Sequence, residues 1–299
     1  MATNIALSLT PLMNDSLTWE NCNEMDEIAN SPLLRAVLII QTLCSVIAIP
    51  LLISLFRWVL TKSLMHFNTK FIFIFNITCS LIHLLSRIHQ HVTKLNDILL
   101  PRKDGCQIIH DATYCFFIRL PYNCALWACY TTTIMIALER CLATIFLRKY
   151  YGNRTAGPLL VVAQLIITSA LLLFVYLPTR FSGVIVYYCL AMSSVQPMYT
   201  VIPLSLTMLI QTSAVLVFVK LKMVNKEIRL KLRNAGDLCG RYQVEETLRS
   251  LNTLSPFFYS SYAFIFTYLA LMCTTMTVNQ NFSTPVFLSL IEDERWSLE

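Results

Sequence analysis

Glu139 and Arg140 are adjacent and close an uncharged run from Leu120 to Leu138. Such a pair can do one of two jobs. The arginine can snorkel to a membrane interface with the acid as its counter-charge. Alternatively, the acid holds the guanidinium inward until a conformational change frees it for a partner, which makes the pair a switch. Arg140 follows Cys115 by 25 residues, or roughly 37 Å along a helix at about 1.5 Å per residue, which is one bilayer with its interfaces. A helix tethered through sulfur at one end and carrying arginine at the other favours the switch. Ionisable groups inside a membrane are functional candidates by default, and Arg87 and Arg119 are two more. Both fall near the outer ends of apolar runs, where snorkelling would take them to the interface. The other reading is an outer cavity: Tyr122, Asn123 and Trp127 follow Arg119 at helical spacing, and His83 lies one turn before Arg87. An aromatic stripe of this kind also serves as plain packing.

Enzymatic chemistry has no comparable footing. His83, His89, His91 and His110 do not form the i,i+4 pair with a general base that helical metalloproteases use, and His89 and His91 fall on opposite sides of a helix. No catalytic residue, metal ligand set or cofactor site is expected. Six glycines in 299 residues also argue against phosphate-binding turns.

The elements that position these residues are membrane helices. Hydrophobic residues make up 56% of the chain and charged residues only 13%, with a mean hydropathy of +0.60; soluble domains carry roughly 25% charged residues. Uncharged runs cover Ala36–Phe56, Phe71–Ser86, Leu120–Leu138, Gly157–Pro178, Pro197–Val219 and Pro256–Val278. About 20 apolar residues span a bilayer as a helix. The expected fold is therefore an all-α, polytopic transmembrane bundle. An N-terminal segment covers 1–35, the bundle covers 36–291, and an acidic tail covers 292–299. The spans fall at about 36–60, 68–88, 115–147, 157–178, 197–219 and 256–278, with a partial seventh at 285–291.

Cytoplasmic loops are enriched in Lys and Arg. The first 33 residues have none and hold five acids, whereas Lys220, Lys222, Arg229 and Arg241 belong to a long basic connection after the fifth span. The N-terminus is thus expected outside. The net charge of +6 reflects this placement and not a nucleic-acid partner. The 220–233 stretch alternates basic residues with Leu and Ile as if the fifth helix continued, and Glu245 and Arg249 stand at i,i+4 on an extension of the sixth.

Eleven cysteines sort by compartment. Those within spans read as small apolar packers. Cys22, Cys106, Cys115 and Cys189 fall on the oxidising side, where four cysteines allow three connectivities; Cys115–Cys189 with Cys22–Cys106 is favoured. Among the Asn-x-Ser/Thr sequons, Asn14 is the exposed glycosylation candidate.

Taken together, Glu139-Arg140-Cys141-Leu142-Ala143-Thr144, the Trp127 region, Tyr187-Tyr188-Cys189, Arg241-Tyr242-Gln243-Val244-Glu245-Glu246 and His66-Phe67-Asn68-Thr69-Lys70 resemble the nematode serpentine chemoreceptors of class alpha/beta, over roughly residues 20–290. The resemblance implies a G-protein-coupled receptor in the plasma membrane of sensory-neuron cilia. It would detect a small-molecule odorant or pheromone and signal to a heterotrimeric G protein. Glu139 and Arg140 would form the switch, and Lys220, Lys222, Arg229, Arg241 and Glu245 would meet the G protein or anionic lipid. The chain departs from the pattern where the seventh helix shrinks to Thr284–Leu290, a truncation expected to impair signalling. The rival class is a channel or transporter subunit with six spans. It lacks support in an arginine-repeat helix, a carbonyl-lined filter loop or a mid-membrane acid.

Overall fold

The computed structural model describes residues 12–13, 19–61, 66–100, 110–146, 150, 152–177, 184–186, 198–234 and 238–278. Its seven helices there are α1 (Trp19–Asn30), α2 (Pro32–Thr61), α3 (Phe67–Leu99), α4 (Ala112–Ile145), α5 (Ala156–Tyr176), α6 (Met198–Asn234) and α7 (Leu238–Val278). The partial seventh span at 285–291 and the acidic tail lie outside the described residues.

The helices overrun the apolar windows. Hydropathy marks where lipid is, but a helix continues into water as long as its own hydrogen bonds and side chains sustain it. Accordingly α3 runs to Leu99, well past the 68–88 window. Likewise α6 reaches Asn234 and α7 begins at Leu238, so the basic connection is almost wholly helical. The amphipathic α1 was not foreseen; it turns Ile28 and Ala29 inward while Asp26 and Glu27 stay exposed.

Three very short strands were also unforeseen. β1 (Leu12–Met13), β2 (His110–Asp111) and β3 (Val184–Val186) form an antiparallel sheet in the order β1-β3-β2, with Leu12 opposite Ile185 and His110 opposite Val186. The sheet brings the N-terminal segment, the start of α4 and the α5–α6 connection to one end of the bundle.

Among the described residues, four helices are long and apolar enough to cross a membrane on composition alone: α2, α3, α5 and the Ile202–Asn234 part of α6. The central α4 is more polar. It packs against α3, α5, α6 and α7, so protein shields most of its surface and Thr131, Thr132 and Thr133 can be buried on it. The outer helices show the opposite pattern, with Ile47, Leu51, Leu159, Leu173, Leu209 and Leu216 exposed. Apolar exposure on that scale suits lipid and not water.

Hydrophobic contact gives helices in lipid little reason to associate, and buried polar groups supply specificity instead. Side-chain amides on α5 and α6 grip α4. Gln164 Nε2 donates to the Ala128 carbonyl at 2.6 Å and to Thr132 Oγ1 at 2.8 Å, and Gln211 Nε2 donates to the Tyr130 carbonyl at 2.6 Å. Nearer the Arg140 end, Asn225 Nδ2 donates to Thr144 Oγ1 at 3.0 Å. On α3 the buried residues Thr69, Asn76, His83 and Gln90 recur every seven positions. Three of them are seen to touch α4, at Glu139, Tyr122 and Ile118 in turn. The falling numbers show that the two helices run antiparallel, and a seven-residue repeat is the spacing that favours the shallow left-handed crossing of coiled-coil packing.

Apolar clusters fill the remaining interior. Ile136, Phe218, Leu251 and Phe258 anchor the half nearer Arg140, with the Phe218 and Phe258 rings stacked at 4.0 Å between centroids. Trp127, Tyr130, Leu172, Leu204 and Ile265 anchor the other half.

Candidate functional site

The acid–arginine pair sits at the C-terminal end of α4 and is sealed inside the bundle: Glu139 is 0% and Arg140 2% exposed. Arg140 grips Glu139 in a fork, Nε to Oε2 and Nη2 to Oε1, each at 2.5 Å. Two further side chains complete the cluster. Thr69, at the start of α3, donates to Glu139 Oε2 at 3.0 Å and accepts from Arg140 Nη2. Tyr150, in the α4–α5 connection, donates to Glu139 Oε1 at 2.5 Å. This is not an arginine snorkelling toward water. A bidentate pair with added donors on the carboxylate is the geometry that best offsets the desolvation of two charges.

Local structure puts those partners there. The α4–α5 connection docks on the first turn of α3: the Tyr150 ring lies 5.0 Å from the His66 ring, and the Arg154 guanidinium stands 5.8 Å from the Phe67 ring centroid. Asn68, fully buried, donates to the Asn153 carbonyl at 2.7 Å and accepts from the Gly157 amide at 3.1 Å. Asn153 Oδ1 in turn accepts from the Thr155 amide at 2.8 Å, an Asx turn that opens α5. Burial, then the neighbouring Glu139 carboxylate, push the Tyr150 phenol above its ordinary value. Its proton therefore stays in place as the donor to Glu139 throughout the neutral range. Tyr150→Phe is expected to lower stability by about 1.5–3 kcal/mol, the range for a hydrogen bond to a charged group, read as a fall in thermal midpoint in detergent.

Thr69, Tyr150, Asn68 and His66 were not singled out as site residues. The His66-Phe67-Asn68-Thr69-Lys70 string was visible, yet nothing local links it to Glu139, which is 70 residues from Thr69.

The basic side chains assigned to a cytosolic partner lie at the same end, on the extensions of α6 and α7. Lys220, Arg229, Arg241 and Glu245 are exposed. Lys222 is half-buried, with Nζ 5.8 Å from the Phe218 ring centroid. Glu245 pairs with Arg229 on α6 at 3.1 Å.

Among the described residues the five pocket candidates make contacts in different directions. Tyr122 faces α3, its ring 4.3 Å from that of His83. Asn123 faces α5, donating to the Tyr176 hydroxyl. Trp127 is packing in the α4–α5–α6 cluster, 6% exposed. Arg87 and Arg119 are 1% and 5% exposed and held by contacts within the protein, which overturns snorkelling to an open surface. A groove of about 740 Å³ in this region is lined by Leu85, Ser86, His89, Thr113, Tyr114, Phe117, Ile118 and Pro121.

Cys115 is buried and disulfide-bonded. Cys106, Cys189 and Asn14, together with the side chain of Cys22, lie outside the described residues. Cys44, Cys79, Cys124, Cys129 and Cys141 are free thiols. Among the described residues no group of three or more His, Cys, Asp or Glu is placed to hold a metal ion.

A bundle of long helices with exposed apolar faces around a buried acid–arginine pair is the architecture of a multi-pass membrane protein. Residues 19–295 match the family model described as "Serpentine type 7TM GPCR receptor class ab chemoreceptor", and the chain belongs to that family. It is similar to serpentine receptor class alpha/beta-14 of Caenorhabditis elegans, 26% identical over 167 residues. That match covers 53% of this chain and spans 42% of the relative's length.

Proposed function

We propose that this chain is a chemosensory receptor that detects an external small molecule and signals to a heterotrimeric G protein. Its N-terminus faces outward and its Arg140 end faces the cytosol, in the plasma membrane of a sensory cell. Cys115 pairs with Cys189 across the outer face, Cys22 with Cys106, and Asn14 carries a glycan.

The observation that carries this reading is the latched pair. Glu139 and Arg140 are held in α4 by one residue of α3 and one of the α4–α5 connection. Separating those elements would loosen the grip on Arg140 at the end where the charged extensions of α6 and α7 lie.

Nucleotide exchange on a purified heterotrimer tests it, with the receptor reconstituted in lipid. Glu139→Gln, which keeps the shape but removes the charge that holds Arg140, is expected to raise basal exchange severalfold. Arg140→Ala is expected to abolish exchange in either background. Equal exchange by wild type and Arg140→Ala would overturn the assignment, and ionic current without any G protein would favour the six-span channel.

A further inference from the structure

We propose that the groove between α3 and α4, at the end opposite Arg140, binds a compact neutral alcohol, one hydroxyl on a rigid apolar body. The hydroxyl enters a notch formed by Ser86, His89 and the backbone carbonyl of Phe117, and the body lies along one stripe of α4. The inference rests on the receptor reading and deepens it by naming its ligand class.

The first observation is the notch. Proline has no amide hydrogen, so Pro121, inside α4, leaves the Phe117 carbonyl without the donor that a regular helix supplies four residues on. Phe117 and Pro121 both line the groove, and so do Ser86 and His89, one turn apart on α3. Contacts of Gln90 with Ile118 and of His83 with Tyr122 fix the relative height of the two helices. They put Ser86 level with the Phe117–Pro121 turn. Thr78, Ser80 and Thr93 on α3 each donate to the carbonyl four residues back. Ser86 makes no such bond among the described residues, which leaves its hydroxyl to a ligand. A carbonyl, a hydroxyl and an imidazole that in its neutral form accepts through one nitrogen thus share one level. What such a set lacks is a proton donor.

The second observation is the rest of the groove. Tyr114, Phe117, Ile118 and Pro121 fall at i, i+3, i+4 and i+7, one stripe of α4. Tyr114 and Phe117 are exposed along it, and Leu85 faces it from α3. The volume of about 740 Å³ falls in the ordinary range for small-molecule sites, about 300–1,000 Å³. None of the lining residues is Asp, Glu, Lys or Arg. A charged headgroup would lose water there with no counter-charge to offset it, so charge complementarity selects a neutral one. The charge-free runs end at Ser86 on α3 and begin at Leu120 on α4, which sets the notch at the membrane boundary. The stripe continues past it, away from Arg140. A sterol anchored at the notch would turn its rings toward the bilayer centre and leave the stripe bare, so the occupant comes from outside.

Binding of tritiated borneol to the full chain in neutral phosphatidylcholine nanodiscs tests the proposal, with empty discs as background. Camphor, the ketone on the same bicyclic body, is the match that cannot donate. Borneol is expected to bind about three- to tenfold tighter, the worth of one hydrogen bond. Ser86→Ala should shrink that preference, and Phe117→Ala should weaken both compounds alike. Pro121→Ala is the decisive variant. It returns an amide to the Phe117 carbonyl and removes a helix breaker, so it should erase the preference while the thermal midpoint holds or rises. Equal binding of borneol and camphor overturns the proposal, as does a preference that survives both Ser86→Ala and Pro121→Ala. Displacement of borneol by cholesterol in the disc would also overturn it, assigning the groove to a membrane sterol. Failure of G-protein activation with borneol binding intact would sink the receptor reading alone.

Discussion

Glu139→Ala is expected to destabilise the detergent-solubilised protein by about 3–5 kcal/mol, the range for breaking a buried ion pair from one side. The change strands Arg140 at 2% exposure and removes the acceptor of Thr69 and Tyr150 in the same stroke. Arg140→Met should be milder. The carboxylate left behind keeps two hydroxyl donors and can take up a proton, whereas a guanidinium cannot give one away. The double variant Glu139→Leu with Arg140→Met should recover most of the loss, because replacing a buried pair with apolar side chains of similar volume is often neutral or stabilising. A double-mutant cycle in stability checks this directly. Losses that simply add in the double variant would mean that the pair is not the coupled unit its geometry describes. A recovered, stable double variant that fails to activate a G protein where the wild type does would separate the pair's proposed signalling role from its structural one.

Gly157→Ala is the second large effect. In an exposed helix, alanine gains roughly 0.5–1 kcal/mol over glycine. Here a Cβ would stand 2.8 Å from both the Cα and the carbonyl oxygen of Asn68. Those atoms are backbone, so α5 must move away from α3, and overpacking of this kind costs about 1–3 kcal/mol. The move would also stretch the bond from the Gly157 amide to Asn68 Oδ1. Gly157→Val should be worse, and trimming Asn68 to alanine should rescue neither. Thermal midpoints of the series settle the sign: a rise with Gly157→Ala would show that the two helices are not in contact there.

The bundle was legible because lipid imposes a simple rule on composition, and each of the six long helices among the described residues overlaps one of the charge-free runs. Their ends were not, because Lys94, Asp97 and the basic stretch after Lys220 sit on helices that have already left the apolar zone. The Glu139–Arg140 pair could be read because its members are adjacent. Its partners could not, since Thr69 and Tyr150 arrive by packing of α3 and of the α4–α5 connection. Arg87 and Arg119 show a different failure. Position along a span suggests depth in the membrane, but burial depends on which way a helix is turned. The seven-residue recurrence of Thr69, Asn76, His83 and Gln90 carried that orientation for α3, and it was there to be counted.

That recurrence also governs motion. Sliding α3 along α4 by three or four residues, roughly 5 Å, would set its amide and imidazole groups against greasy neighbours. Only a full seven-residue step, about 10 Å, would realign them. Small axial glides are thereby penalised, so the easier movement for this pair is a tilt or roll that keeps every rung engaged, and any longer travel within the bundle falls to helices without such a ladder.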